Sequence, residues 1–215
     1  MLCLEERRPK QFALAAKRSA DLVIATVLTL LASPIVLMAA ANLIFSAKKP
    51  FKRELRCGLH GQPFLMWRIN IDRDADDLSG LRLWLARLSL TELPQLLNVV
   101  LGNMSLVGPR PESPDRVKHY SEWQRQRLSA KPGLTGLAQV YGLREQHASE
   151  DKARFDLQYM LHWSPLLDLS LLLQTLWTVA IRIWHPAAPN AVVPGTPERS
   201  FTEVLDVDRS HAGAD

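Results

Sequence analysis

Cysteine is scarce in this sequence, and its scarcity limits the chemistry that the chain can perform. Cys3 and Cys57 are its only cysteines, and they lie far apart. Two distant cysteines provide neither a disulfide framework nor the close ligand spacing of a zinc site. We therefore expect free thiols in a reducing compartment.

Strong net charge and aromatic residues are also lacking. The 215 residues carry a net charge of +4, and 7% of them are aromatic. This modest basic excess suits an anionic partner. The basic residues flank an apolar segment and do not alternate with aromatic side chains, so we expect no nucleic-acid partner. With 47% hydrophobic residues, the chain can bury one sizeable core.

Charged residues are absent from Leu22 to Ala47, a run of 26 residues that would form a helix about 39 Å long. Basic residues lie before the run at positions 7, 8, 10, 17 and 18, and after it at 48, 49, 52 and 53. Because basic flanks stay on the cytoplasmic side of a membrane, we expect both ends of the run on that side.

Pro34 lies almost midway along this run, directly after Ser33. A proline removes one backbone donor from a helix, and the serine hydroxyl can bond the carbonyl that is left free. The two residues predict a kinked, re-entrant helix. Composition alone is equally compatible with a helix that spans the membrane and tolerates a proline.

A second apolar stretch runs from Leu166 to Trp184. Its leucines recur at helical spacing, and Trp177 and Trp184 lie one heptad apart, which suits a membrane interface. We predict an interfacial helix near 166–184, with a helix packed in the core as the alternative. Residues 186–215 contain four prolines and few apolar residues, so we expect a tail that does not fold alone.

The densest group of unusual residues lies between positions 89 and 111. Ser89 followed by Glu92 predicts a capping box that starts a helix over Leu88–Val100. Further on, Arg110 lies between Pro109 and Pro111. Two residues of fixed φ aim the guanidinium, whose planar fork suits phosphate oxygens. As an isolated string, this segment would be only a rigid turn.

Glycine and proline also mark the segment that starts at Lys131. The sequence Lys131-Pro-Gly-Leu-Thr-Gly136 predicts a turn. Its lysine suits either an exposed structural corner or a phosphate contact. Arg125 and Arg127, just before this segment, would either join an anion-binding pocket or face solvent.

Taken in order, these segments resemble one known family, the bacterial sugar transferases or monotopic phosphoglycosyl transferases, in their short form. The resemblance covers most of the chain. The matching blocks are Lys17-Arg18-x-x-Asp21, Ser33-Pro34, Gly61-x-Pro63-Phe64, residues 89–111, Lys131 to Val140, Asp156-x-x-Tyr159 and Trp163-Ser164-x-x-x-Asp168. The chain is too short for the multi-span region of the long form, which implies the minimal catalytic unit.

The resemblance implies an α+β, predominantly helical monotopic membrane protein at the cytoplasmic face of the bacterial inner membrane. Residues 1–47 would form the basic segment and re-entrant helix, 48–185 the catalytic domain, and 186–215 the tail. The family transfers a sugar-1-phosphate from a UDP-sugar to polyprenyl phosphate and releases UMP. The implied cofactor is magnesium, and the implied partners are a UDP-sugar, polyprenyl phosphate and membrane lipid. The resemblance is also compatible with a homo-oligomer.

The resemblance also assigns residues. Glu92 belongs to the catalytic dyad and is associated with magnesium, while Ser33 and Pro34 turn the membrane helix. The implied substrate-binding residues are Arg68, Pro109, Arg110, Pro111, Lys131 and Gln139. Thr91 occupies the position of the dyad aspartate, the family's nucleophile.

A threonine hydroxyl at position 91 does not replace a carboxylate without an adjacent base. Asn70 and Asn103 also replace charged family residues. Three alternatives follow: Glu92 or another acid, such as one of the aspartates between 72 and 77, attacks the sugar nucleotide; the lipid phosphate attacks it directly; or the chain binds or scaffolds without catalysing. The sequence does not identify the sugar.

Overall fold

The computed structural model describes residues 11–71, 80–143 and 148–184, with the side chains of 87 and 182–184 left out. The predicted tail at 186–215, the aspartates between 72 and 77 and the basic residues before position 11 lie outside the described residues.

Helices dominate these residues, and the strands are few and short. The α-helices are α1 Gln11–Phe45, α2 Gly80–Arg87, α3 Gln95–Val100, α4 Pro114–Lys118, α5 Glu122–Arg125, α6 Leu137–Val140, α7 Ser149–Leu161 and α8 Pro165–Trp184. The strands are β1 Phe51–Cys57, β2 Pro63–Ile69, β3 Ser105–Val107 and β4 Gly133–Thr135, and short 3-10 helices occupy Leu59–Gly61, Leu90–Glu92 and Gln126–Ser129. The prediction of a mostly helical α+β protein with one long apolar N-terminal helix is confirmed.

The strands form two separate pairs. β1 and β2 make an antiparallel hairpin in which Phe51 lies opposite Ile69. β3 and β4 pair in parallel, with Ser105 opposite Gly133. The second pair joins two segments that are distant in the sequence, and both carry predicted site residues.

Helix α1 packs along the domain on both sides of Pro34. Before the proline, Ala25 is buried against α3 and β3. After the proline, Ala39 and Leu43 are buried in a second cluster that includes Ile69 of β2 and Leu85 of α2. Most of the remaining surface of α1 is apolar and exposed. Among the described helices, α1 alone is long and apolar enough to cross a membrane by length and composition.

Pro34 lies inside α1, which is one continuous helix from Gln11 to Phe45. The hydroxyl of Ser33 donates a 2.7 Å hydrogen bond to the carbonyl of Leu30. That carbonyl lies four residues before the proline and would otherwise lack its helical donor. The predicted hydrogen bond from Ser33 to the carbonyl freed by the proline is therefore present, while the turning of the helix at these two residues and its re-entrant path stay predictions.

Ion pairs and hydrogen bonds fix the first turns of α1 to the domain. Lys17 Nζ lies 2.5 Å from Asp168 Oδ2 of α8 and donates to the carbonyl of Val107 at 3.2 Å. Asp168 also accepts hydrogen bonds from Tyr159 and Trp163. The first sequence block and the last one are therefore parts of a single cluster.

Two more residues of the same block form hydrogen bonds to α3 and β3. Arg18 donates to the carbonyls of Val99 and Val100, at the end of α3, where unpaired helix carbonyls favour a cation. Asp21 is buried and accepts a 2.6 Å hydrogen bond from the hydroxyl of Ser105 in β3. Lys17 and Arg18, predicted to lie in a basic flank before the apolar run, lie within α1 and are bound to the domain.

Asp168→Asn should destabilise the protein measurably, because Lys17 would lose the anion that balances its charge in a mostly buried setting. We expect a loss of about 1 to 3 kcal/mol, measured by unfolding in detergent. Asp115→Asn is the matched control, because Asp115 pairs with Lys118 at the surface. The Asp115 side chain is 87% exposed and that of Lys118 is 71% exposed, and such pairs contribute little to stability. Equal losses in both variants would contradict the tether.

Candidate active site

The segment around Thr91 and Glu92 differs from the predicted single helix. Leu90–Glu92 is a 3-10 helix, and α3 starts only at Gln95. Ser89 adopts a left-handed conformation with φ of 59° and its side chain makes no cap hydrogen bond. The predicted helix over Leu88–Val100 with a capping box is therefore wrong. Pro94 precedes the first residue of α3, a position where its missing N–H costs nothing.

The carboxylate of Glu92 faces Arg68 of β2. Arg68 Nη2 lies 3.4 Å from Glu92 Oε1, and Arg68 Nη1 lies 3.6 Å from Glu54 Oε1. Burial raises the pKa of Glu54, but hydrogen bonds from Arg56 and Lys52 and the charge of Arg68 outweigh it and lower that pKa to about 2. Arg68 is therefore shared between two carboxylates. This arrangement brings together two of the predicted site residues, Arg68 and Glu92.

Thr91 is the most deeply buried of the predicted site residues that carry a hydroxyl or a charge. Only 1% of it is exposed. The neighbouring Glu92 side chain keeps 18% of its surface. In this conformation the dyad position therefore presents a carboxylate at residue 92 and no accessible hydroxyl at residue 91.

The acidic residues of the site fit a magnesium ion that is held mainly by substrate and water, and not a metal cage made of protein side chains. Among residues 11–71, 80–143 and 148–184, no group of three or more His, Cys, Asp or Glu residues could form a metal cage by itself. Magnesium commonly binds through one or two protein carboxylates together with phosphate oxygens and water. Glu92, partly exposed beside Arg68, fits that mode.

The segment from Lys131 to Gly136 contains a short strand in place of the predicted turn. Gly133–Thr135 forms β4, which pairs with β3. The amide of Gly108 donates to the carbonyl of Thr135, and the amide of Gly133 donates to the carbonyl of Pro109. A Cβ at Gly133 or Gly136 would collide with backbone atoms of Gly108. The glycines allow this close backbone approach, which explains why the segment contains them.

Arg110 is the one partly exposed residue in an otherwise buried segment from 104 to 112. The carbonyls on each side of it are held: Pro109 accepts from Gly133 and Glu112 accepts from Cys57, at 2.8 and 2.9 Å. Pro111 limits the backbone between them. The chain thus holds the Arg110 backbone firmly while its side chain keeps access to solvent.

Lys131 and Gln139 flank β4. Burial and the nearby charge of Arg18 lower the pKa of Lys131, while Asp21 acts in the opposite direction. Gln139 donates through Nε2 to the carbonyl of Leu134 at 3.0 Å, and its buried Oε1 has no hydrogen-bond partner within the described part of the chain. Gln139 therefore supports the end of β4 through its side-chain nitrogen.

The predicted site residues thus form groups. Arg68 and Glu92 lie together before α3, and Pro109 lies against β4, next to the segment that carries Lys131 and Gln139. Lys131 lies near Arg18, and Arg18 binds the C-terminal end of α3. Helix α3 has six residues and is therefore about 9 Å long. Ser33 and Pro34 are exposed on α1 and belong to neither group.

Sequence reasoning missed a buried charge cluster beneath Arg110. Arg127 was predicted to line an anion pocket or to face solvent, and both alternatives are wrong because it is 2% exposed and pairs with Asp156 of α7. Lys152 and Glu112 form a second buried pair beside it. The spacing of Lys152 and Asp156, four residues apart on one helix, was the only local signal. Arg125, by contrast, is exposed.

Comparison with known proteins supports the resemblance. The family model described as bacterial sugar transferase matches residues 12–182. The chain is 38% identical over 177 residues to the uncharacterized sugar transferase EpsL of Bacillus subtilis (strain 168), a match that covers 77% of this chain and 87% of that protein.

Two further relatives have names that state a reaction. The UDP-glucose:undecaprenyl-phosphate glucose-1-phosphate transferase of Caulobacter vibrioides is 37% identical over 181 residues, covering 74% of this chain and 67% of that protein. The protein of the same name from Escherichia coli (strain K12) is 32% identical over 182 residues, covering 75% of this chain but only 39% of its own length. The family predicted from the motifs is confirmed: this chain belongs to the bacterial sugar transferases.

Proposed function

We propose that this protein transfers a sugar-1-phosphate from a UDP-sugar to polyprenyl phosphate, forming a polyprenyl-diphosphate-sugar and releasing UMP. The new bond joins an oxygen of the lipid phosphate to the sugar-bearing phosphorus, and the bond to the UMP oxygen breaks. Relatives named for transfer of glucose-1-phosphate to undecaprenyl phosphate support this reaction class. Surface polysaccharide synthesis fits as the setting, since another relative is an exopolysaccharide production protein.

The observation that carries the proposal is the partial exposure of Arg110 within a rigidly held segment. It alone keeps solvent access in a buried segment whose backbone is held from both sides. An oriented guanidinium binds phosphate oxygens through two parallel hydrogen bonds. Arg110 would hold the pyrophosphate of the UDP-sugar, with Lys131 and Gln139 as further substrate contacts around β4.

Glu92 and Arg68 would serve the second requirement of phosphoryl transfer, the neutralisation of charge between two anionic substrates. Glu92 would hold magnesium together with substrate phosphate oxygens, and the ion when bound would offset the negative charge that develops on the leaving UMP. Arg68 already lies beside this carboxylate. It would keep Glu92 oriented when the metal is absent and remain as a cation next to the phosphates.

The nucleophile is the part of the reaction in which this chain differs from its family. Thr91 is 1% exposed and has no carboxylate, so an acyl-phosphate at this residue is chemically impossible. Direct attack by the lipid phosphate requires no enzyme nucleophile and agrees with the remaining site. Attack by Glu92 is the alternative within the same reaction.

The same threonine favours a second candidate function, that of a membrane-bound protein that binds sugar nucleotide or lipid without turnover. Such a protein would keep Arg110, Lys131 and Arg68, as this chain does. It would not require the dyad aspartate. The two functions differ in UMP release, which only the enzyme produces.

We further propose that the protein is monotopic and lies at the cytoplasmic face of the inner membrane. Residues of α1 before and after Pro34 pack on one domain. If α1 spanned the bilayer, the domain packed along it would have to enter the hydrocarbon with its charged surface, which is costly. A helix that stays in one leaflet with the domain at its side avoids that cost.

Helix α8 adds a second membrane-facing surface in this proposal. Leu171 is buried in the core. The opposite face exposes apolar side chains at 52% to 75%: Leu166, Leu169, Leu173, Leu176 and Trp177. An apolar face with tryptophan at its edge is typical of helices that lie in the membrane interface, so the predicted interfacial role of residues 166–184 agrees with the exposed face.

Both ends of α1 should be accessible from the cytoplasmic side. We expect single cysteines introduced by Gln11→Cys and Lys49→Cys, in a background without Cys3 and Cys57, to react with a membrane-impermeant maleimide in inverted vesicles and not in intact cells. Pro34→Leu should shift part of the population towards a spanning form. Labelling of the two sites from opposite faces in the unmodified helix would contradict the monotopic arrangement.

Restoring the dyad acid should accelerate the reaction. We expect Thr91→Asp to raise UMP release from a UDP-sugar, with polyprenyl phosphate and magnesium, by at least about tenfold, because Glu92, Arg68 and Arg110 are already present. Thr91→Asn has a similar size without the carboxylate and should give no gain.

Intact-mass spectrometry should detect a phospho-sugar adduct in Thr91→Asp and none on residue 91 of the wild type. A wild type that is as fast as Thr91→Asp would refute the argument about the nucleophile. If neither protein released UMP from any UDP-sugar in a panel, the binding function would replace the enzymatic one.

A further inference from the structure

Four charged side chains are buried together directly beneath the Arg110 segment. They are at most 3% exposed: Glu112, Arg127, Lys152 and Asp156. Two cations face two anions, so the cluster is electrically balanced. Buried ion pairs are often no more stabilising than apolar side chains of the same volume. The contribution of the cluster to stability is therefore a poor explanation for its presence, and we look for a functional role in the contacts that it makes.

The guanidinium of Arg127 joins this cluster to the site. Its Nη1 donates to the hydroxyl of Tyr120 at 2.7 Å. Its Nη2 donates to the backbone carbonyl of Arg110 at 2.9 Å and also contacts the carboxylate of Asp156. Asp156 and Tyr120 thus set the orientation of a planar fork, and one arm of that fork holds residue 110. A lysine has a single ammonium and does not reproduce this set of directions.

The residue after Pro111 is held by the same cluster. Glu112 Oε1 accepts a 2.7 Å hydrogen bond from Lys152, and the Glu112 carbonyl accepts from the amide of Cys57. Burial raises the pKa of Glu112, but the hydrogen bond and charge of Lys152, with the charges of Arg127 and Arg116, lower it overall. Glu112 is therefore ionised at neutral pH.

We propose that Arg127 is a positioning residue that fixes the Arg110 backbone so that the Arg110 side chain points towards substrate. Asp156 and Tyr120 orient the Arg127 fork, while Lys152 and Glu112 hold the other end of the segment. Arg127 does not touch substrate in this arrangement and acts only through Arg110. The inference rests on the proposed function for its catalytic consequence, although the effect on the backbone is independent of it.

The sharpest test compares two Arg→Lys substitutions around the same carboxylates. Arg127→Lys keeps the charge and loses the fork, so the KM for UDP-sugar should rise about tenfold. Arg116→Lys is the matched control, because Arg116 approaches the same Glu112 from the protein surface. Its Nη1 lies 3.2 Å from Glu112 Oε2, and 43% of its side chain is exposed. We expect the KM for UDP-sugar to change less than about twofold in this variant. Equal KM values for Arg127→Lys and wild type would overturn the proposal.

A double-mutant cycle separates positioning from a general structural role. If Arg127 acts through Arg110, Arg127→Lys should cause no further rise in KM in an Arg110→Ala background. The same fold-change in both backgrounds would overturn the proposal. Should Arg127→Lys fail to fold, Tyr120→Phe removes one anchor of the fork and should give a smaller KM increase that is again lost in the Arg110→Ala background; an increase that persists there would overturn it.

Hydrogen exchange distinguishes failure of this inference from failure of the proposed function. The amides of Gly133 and Cys57, which donate to the carbonyls of Pro109 and Glu112, should exchange faster in Arg127→Lys than in Arg116→Lys, because the Arg110 carbonyl between them has lost its donor from Arg127. Equal exchange in the two variants would overturn the positioning role. Absence of UMP release by the wild type would instead count against the proposed function, and the exchange rates would still decide the role of Arg127.

Discussion

The docking of α1 along the domain is the contact on which the other parts of the structure depend. Ala25, Ala32 and Ala39 recur every seven residues and lie on the face that meets the domain. Small side chains at this spacing let a helix approach its neighbours closely. The result is that an apolar helix of 35 residues presents one face to the domain and the rest of its surface outwards, so the apolar helix and the domain form one body.

The site is built on the same contacts. Arg18 of α1 binds the end of α3, the helix that follows Glu92, and Asp21 binds β3, the strand that leads into Arg110. On the other side, the close backbone approach of Gly108 and Gly133 joins that strand to β4. The docking of α1 and the geometry of the site are therefore coupled, which suits the proposed reaction, in which one substrate comes from water and the other from lipid.

Local patterns predicted the parts of the fold that depend on local physics. The charge-free run predicted α1, and the proline chemistry predicted the hydrogen bond from Ser33 to Leu30. Non-local contacts account for the errors. Lys131 to Gly136 contains turn residues, but Gly133–Thr135 pairs with β3 as a strand. Arg127 is buried because it pairs with Asp156, and no local pattern indicates that pair because Asp156 lies far along the chain. The left-handed backbone of Ser89 is not predictable from the local sequence, because the same residues also fit a capping box.

Cross-linking of both halves of α1 to the domain, in native membranes, tests this account most directly. In a background without other cysteines, Ala25→Cys with Val99→Cys samples the segment before Pro34, and Leu43→Cys with Ala86→Cys samples the segment after it. Because the paired positions are buried in the same packed clusters, mild oxidation should join both pairs directly by disulfides with similar efficiency. Cross-linking of the first pair without the second would mean that α1 leaves the domain after Pro34, and would contradict the docked helix.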